Sequence, residues 1–374
     1  MLGDMNDAQK KLNVLPGLAA AALLLGIAAL VAAIVAIGKT DNASGQANRS
    51  MQSGQSMAGM TSADMSHMAP LPQGRIADAP SDQGGTPLKG TLKNGVLEFT
   101  LDARPVWWRI YGKQRLAAYA YNGIVPGPQI RVHNGQRVRI RFTNDLPVET
   151  TVHWHGIAVP NSQDGVPGVT QQAIKPGKSF TYEFTARPAG DPHGGGTFLY
   201  HTHVDEDRQM PTGLYGSFII DPRKPGRAGP YSVDKTLVFS EWTADAASGR
   251  VRGVMQMEGM LPNFFTINGK SYPDTEPIGV PAGKRVLLRL VNAGQMAHPI
   301  HLHGTAFRVV ARDGHAVARP QQQLRDTITL ESGERADIAF TEPPGKWILH
   351  CHIGHHLTND GDGPGGLITV LKSA

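Results

Sequence analysis

Cysteine is nearly absent: the 374 residues contain one, Cys351, so no intrachain disulfide can staple the fold and cysteine usage says little about redox compartment. Charge of one sign is scarce too. Lys and Arg number 36 against 31 Asp and Glu, and the net +5 is scattered, with no basic stripe and no interleaved aromatics. Nucleic acid is therefore excluded as an expected partner. No long amphipathic helical pattern appears after residue 40, whereas Gly (44) and Pro (27) are plentiful. That combination predicts an all-β protein with many turns.

One long uncharged run is present, VLPGLAAAALLLGIAALVAAIVAIG at 14–38. At about 1.5 Å per residue it can span a bilayer core of about 30 Å. A cleaved signal peptide has an apolar core of only roughly 7–15 residues. No convincing small-x-small cleavage site follows, and Lys10-Lys11 is not a twin-arginine pair. The expectation is a single-pass transmembrane anchor over 14–38, with 1–13 cytoplasmic and the bulk of the chain periplasmic or extracellular. Residues 39–86 read as a flexible, Met-rich linker. Its Met51, Met57, Met60, Met65 and Met68, with His67, either capture Cu(I) through soft thioethers or are tolerated linker residues.

The remainder is written twice. GQRVRIRFTN (135–144) matches GKRVLLRLVN (283–292) at an offset of 148, which also carries HWHG (153–156) onto HLHG (301–304). HTH (201–203) meets HCH (350–352) at 149, and Asn122-Gly123 corresponds to Asn268-Gly269. Two homologous domains follow, 87–222 and 230–374. Runs such as QIRVH, SFTYEF, GSFII, RVLLRLV and FRVVA predict antiparallel strands in a sandwich or barrel.

Of 15 histidines, eight fall in four H-x-H pairs. Alternate strand side chains share a face, so each pair presents two imidazoles together, and four pairs could line one copper-binding cavity. In HCHIGHH, His350 and His352 face one way and Cys351 the other. A thiolate with two imidazoles and a weak axial group suits electron-transfer copper, and His298 and His356 are the available imidazoles. The remaining His67, His133, His193 and His315 carry no motif, and the parity of His355 is opposite to that of His356.

HWHG, HTH, HPIHLHG (298–304) and HCHIGHH (350–356) together resemble the motifs of the multicopper oxidases, the laccase-like family, and of its two-domain kind in particular. The resemblance covers about 87–374. It implies two cupredoxin-like Greek-key β-barrels and four coppers per active unit. His298, Cys351 and His356 would hold type 1 copper. His153 and His301 would hold type 2, and His155, His201, His203, His303, His350 and His352 the binuclear type 3 pair where O2 becomes water. Mapping the type 1 ligands back through the repeat lands on Thr150, Thr202 and Asp207, so the first domain should hold no type 1 copper. This argues against copper nitrite reductase.

After His356 the run LTNDGDGPGGLITV departs from the family's spacing, leaving Leu367, which cannot coordinate, as the axial position, with Met296 as competitor. Asp164 matches a family carboxylate near type 2 copper that could relay protons, or it is a turn residue before Gly165. Met255, Met257 and Met260 serve either metal approach or packing. The resemblance further implies a homotrimer and either of two donor classes: phenols and aromatic amines, or a metal ion such as Cu(I) in copper tolerance. A non-catalytic copper store is the reading from outside enzymology.

Overall fold

The computed structural model describes residues 75–223, 230–252 and 262–373, which are mostly strand. The run 14–38, the Met-rich stretch 51–68 and Met255, Met257 and Met260 lie outside them. Among the described residues no helix is long and apolar enough to cross a membrane.

Each half is a pair of facing sheets. In the first, a sheet through Val96–Tyr111, Arg137–Asn144 and Ser179–Thr185 covers a sheet ordered Gly127–His133, Tyr215–Asp221, Gly196–His201, His153–His155. In the second, a sheet through Val233–Ala244, Arg285–Asn292, Arg335–Thr341 and Phe307–Arg312 covers one ordered Ile278–Val280, Ile368–Ser373, Gly345–Cys351, His298–Leu302, Thr327–Leu330. The sequence repeat thus becomes a repeat of topology. Period-two burial explains the strands: in Arg137–Asn144, Val138, Ile140 and Phe142 point inward to meet Phe198, Tyr200 and Phe218 from the facing sheet.

The repeated asparagines have one shared task. Asn144 Nδ2 donates to the carbonyls of Val148 (2.8 Å) and Ile174 (2.7 Å), and Asn292 Nδ2 to those of Met296 (2.7 Å) and Leu330 (3.0 Å). Each pins the loop that leads into an H-x-H strand.

Two expectations need correction. The strands are not purely antiparallel: Val96–Tyr111 runs parallel to Arg137–Asn144, Val233–Ala244 to Arg285–Asn292, and Gly127–His133 to Tyr215–Asp221. Chain that crosses between two sheets returns beside a strand running its own way, which alternation alone cannot reveal. The flexible linker also ends before residue 86. Ala77–Asp78 pair with Val106–Trp107, and Asp82 accepts from Arg109 and from Lys270 Nζ (2.6 Å). Composition cannot show partners that lie so far along the chain.

A shared core locks the sandwiches together: Val106, Trp108, Leu199 and Tyr215 pack with Val238, Trp242, Phe264 and Val291. Beside it lies a buried polar seam. Arg289 donates to Asp234 Oδ1 (2.6 Å) and Asp337 Oδ2 (3.0 Å), while Thr197 of the first sandwich donates to Asp337 Oδ1 (2.7 Å). Buried charges of this kind are tolerated only when paired.

Glu342 violates that rule. It is fully buried, neither carboxylate oxygen has a hydrogen-bond partner among the described residues, and burial pushes its pKa from 4.5 up to about 7. A raised folded-state pKa means the unfolded chain loses its proton first, so stability is full below about pH 4.5 and falls as pH rises toward 7. Glu342→Gln should leave stability at pH 4.5 unchanged and raise it at pH 8 by roughly 1–3 kcal/mol. Urea unfolding at the two pH values checks this; an equal effect at both would refute it.

Candidate metal centre

Strand register assembles the histidines. His153–His155 pairs antiparallel with Gly196–His201 so that His153 lies opposite His201, and His298–Leu302 pairs with Gly345–Cys351 so that His301 lies opposite His350. In all four H-x-H pairs the middle residue (Trp154, Thr202, Leu302 or Cys351) is buried, and the imidazoles take the other face.

Behind HCH lies a compact three-ligand pocket. His298, Cys351 and His356 are fully buried. Nδ1 of His298 faces Nδ1 of His356 at 3.1 Å, and Cys351 Sγ lies 3.4 Å from the same His356 nitrogen. His356 stacks on Phe265 at 4.4 Å, and its Nε2 is buried with no partner. Burial holds the His356 imidazole down at about 3 and the Cys351 thiol up at about 11, so these two ligands are neutral until a metal displaces the thiol proton. Converging lone pairs from two imidazoles and a sulfur fit copper. Leu367 brackets the same place through its backbone: its N–H donates to His356 O (2.9 Å) and its carbonyl accepts from Cys351 N (3.1 Å). Met296 is half-buried against the surrounding core.

Glu241 is the residue that motif reading missed. It is buried, with Oε2 3.2 Å from His298 Nε2 and Oε1 accepting from the N–H groups of Gln295 and Met296 (2.9 Å). A carboxylate on Nε2 fixes the tautomer that leaves Nδ1 free for metal. The signal was legible as a lone acid inside the apolar run LVFSEW.

The other imidazoles form two clusters: His153, His155 and His201 in the first sandwich, and His301, His303 and His350 in the second. The His203 ring sits 5.5 Å from that of His153, and the His352 ring 5.8 Å from that of His301. Nδ1–H of His153, His201, His301 and His350 donates to the carbonyls of Asp164 (2.7 Å), Thr202 (2.7 Å), Asp326 (3.0 Å) and Cys351 (2.8 Å), which leaves each Nε2 for metal. His155 instead has Nδ1 turned toward His201 Nε2 at 3.4 Å. In the second cluster Nε2 of His303 faces Nε2 of His350 at 3.0 Å. Burial pulls His201 down to about 3 and His155 to about 4, the latter helped by the Arg335 guanidinium and His153. Neutral imidazoles are ready ligands, so both clusters fit copper.

Asp164 acts first through its backbone: its carboxylate Oδ1 lies 3.5 Å from His153 Nδ1, behind the ring rather than at Nε2. His355 is exposed, edge-on to Phe265 at 5.2 Å, and His133, His193 and His315 are exposed.

Where the first sandwich would carry a matching thiolate site, Thr150 Oγ1 bonds Thr202 Oγ1 at 3.0 Å and Gln209 Oε1 accepts from Thr202 (3.1 Å). Hydroxyls and an amide fill the place that sulfur and imidazole take in the second.

Comparisons with known proteins agree with this geometry. Family models described as multicopper oxidase match residues 103–225 and 248–361. The fold is similar to that of a blue copper oxidase from Nitrosomonas europaea, with a TM-score of 0.68 and 34% identity, covering 74% of this chain and 85% of that one. Laccase-2 of Cryptococcus neoformans is 32% identical over 63% of this chain, and copper resistance protein A of Escherichia coli 33% identical over 70%. The chain spans 42% and 48% of the length of those two relatives. A thiolate pocket backed onto a histidine face, matched over most of the length of a solved blue copper oxidase, settles the family: the chain belongs to the multicopper oxidases, which use type 1, type 2 and type 3 copper.

Proposed function

We propose that this protein oxidises phenolic or aromatic donors one electron at a time and couples four such steps to the reduction of O2 to two waters. One observation carries the reading: Cys351 ends the strand Gly345–Cys351 between His350 and His352, with its sulfur in the His298/His356 pocket and their rings on the opposite face. Bound copper would supply one-electron storage at the first site and four-electron delivery at the second. The protein's own residues do the rest. Cys351 joins the two sites through two peptide bonds, Glu241 holds the His298 ring, Phe265 covers His356, and four backbone carbonyls set the tautomers of the cluster histidines. His153 and His301 are assigned to type 2 copper, and His155, His201, His203, His303, His350 and His352 to type 3. Asp164 is the candidate proton carrier beside His153. Oxygen uptake by copper-loaded protein, screened over phenols, aromatic amines and Cu(I), tests the proposal. No uptake with any donor would leave a copper store as the better account.

Two features favour a Cu(I) or other metal-ion donor as the second reading. One is the run of thioethers at 51–68, and the other is similarity to a protein named for copper resistance. Removing 51–68 and losing turnover on Cu(I) but not on phenol would select it.

Assembly is part of the proposal. Each sandwich offers four imidazoles, and all ring contacts among them run within a sandwich, none between. A complete trinuclear site then requires the first sandwich of one copy against the second of another, as in the homotrimer that the two-domain resemblance implies. Of three exposed large hydrophobics among the described residues, two flank the half-sites: Val169 on the loop after Asp164, and Leu324 two residues before Asp326. Membrane attachment through 14–38, with the copper sites outside the cytoplasm, completes the reading.

Leu367 supports a high type 1 potential, because a non-coordinating axial group favours Cu(I). Leu367→Met should lower that potential in a redox titration; an unchanged value would remove Leu367 from the axial position.

A further inference from the structure

Arg335 begins a strand of the second sandwich, yet its guanidinium reaches the histidine half-site of the first. It is 4% exposed. Gly156, the residue after His155, has φ +81 and leaves so little space that a Cβ there would lie 2.9 Å from Arg335 Nη2. Nη1 donates to the carbonyl of Gly333 (2.7 Å), and Gly333 itself abuts His155, where an added Cβ would sit 3.3 Å from the ring. The glycine of HWHG is thus used: it admits an arginine from the other sandwich.

That arginine is only partly neutralised. Its one ion pair within 4 Å is with Asp313, at 3.3 Å and 44% exposed, Glu334 and Asp337 act on it from farther away, and Nε is buried with no hydrogen-bond partner among the described residues. Burying a guanidinium is costly unless its charge is matched, and Nη2 of this one points to the Gly156 turn beside His155. A field source beside His155 accounts for it. Next to His155 and His201 lies a cavity of about 390 Å³, which Glu206 and Asp207 also line. Those carboxylates by themselves would repel an anion approaching the metal. In a site shielded from water, a fixed opposite charge is worth far more than at the surface.

We propose that Arg335 is a positioning residue for the copper held by His155 and His201, a fixed positive charge that draws small anions to that metal and favours its reduced form. The inference rests on the proposed copper occupancy of these histidines. Reduction of O2 brings negative charge to the site before protons neutralise it, and Arg335 offsets that charge across the sandwich boundary.

Azide is the probe, titrated into the copper-loaded full-length chain and followed by its charge-transfer absorption on copper. Arg335→Gln should weaken azide binding about tenfold, and Arg335→Lys, which keeps the charge, by less than about threefold. The blue type 1 band should be unchanged in both. Asp313→Asn, which removes the partial neutraliser at a left-handed turn position that Asn favours (φ 49), should tighten binding by about twofold. This gain can be read even if Arg335→Gln fails to fold. Full copper with unchanged azide affinity in Arg335→Gln, equal losses in the Gln and Lys variants, or no gain in Asp313→Asn would each overturn the proposal. Wild-type protein that takes up no copper at these histidines would instead refute the functional reading beneath it.

Discussion

Cys351→Ser is expected to abolish the blue absorption and all donor-driven oxygen uptake while leaving a folded protein that still binds copper at its histidines. The sulfur is fully buried, 3.4 Å from His356 Nδ1, in a pocket whose only anionic ligand would be the thiolate. A hydroxyl is too hard and too weak an acid to replace it. The fold should survive. The repeat already accommodates a hydroxyl at the matching strand position, where Thr202 is fully buried and bonded to Thr150 and Gln209. In the second sandwich His356 Nδ1 is the available partner, so the cost should be about 1–3 kcal/mol. Oxygen uptake retained in Cys351→Ser would sink the proposed route through this strand, whereas loss of folding would show only in circular dichroism and is not expected.

Two inactive variants should make an active mixture. His201→Ala/His203→Ala removes half of the four H-x-H imidazoles of the first sandwich, and His301→Ala/His303→Ala half of the four in the second. Neither should reduce oxygen alone. Within a chain the two clusters do not touch, so a head-to-tail ring must pair the intact half of one variant with the intact half of the other. Random co-assembly into trimers leaves one interface in three intact in each mixed ring, giving roughly a quarter of wild-type uptake. Monomers with self-contained clusters would yield none on mixing. Sedimentation of the mixture supplies the second readout, and the blue band of the His301/His303 variant confirms that the neighbouring His298 pocket is intact.

Much of this could be read from the chain itself, because the information is local and periodic. Strand alternation at H-x-H dictates that two imidazoles share a face, and the same alternation turns Cys351 inward. The offsets of 148 and 149 predict two copies of one fold and point to Thr150 and Thr202 as the place where the first copy lacks a metal site. The mostly β fold, the ligand types and the family all follow from such short-range regularities.

What the sequence could not convey depends on partners far apart in the chain. The parallel pairings, the ordering of 77–86 by Arg109 and Lys270, and the Arg289–Asp337–Thr197 seam are long-range contacts without a local signature. Glu241 reads as one acid in a strand until the fold sets it against His298, 57 residues later. Arg335 and Gly156 look unrelated until the sandwiches close on one another. The sequence by itself therefore determined which atoms can bind copper. Only the tertiary structure decided which charges and carbonyls surround them, because electrostatic and hydrogen-bond partners are chosen by distance in space, whereas ligand motifs are written by strand periodicity.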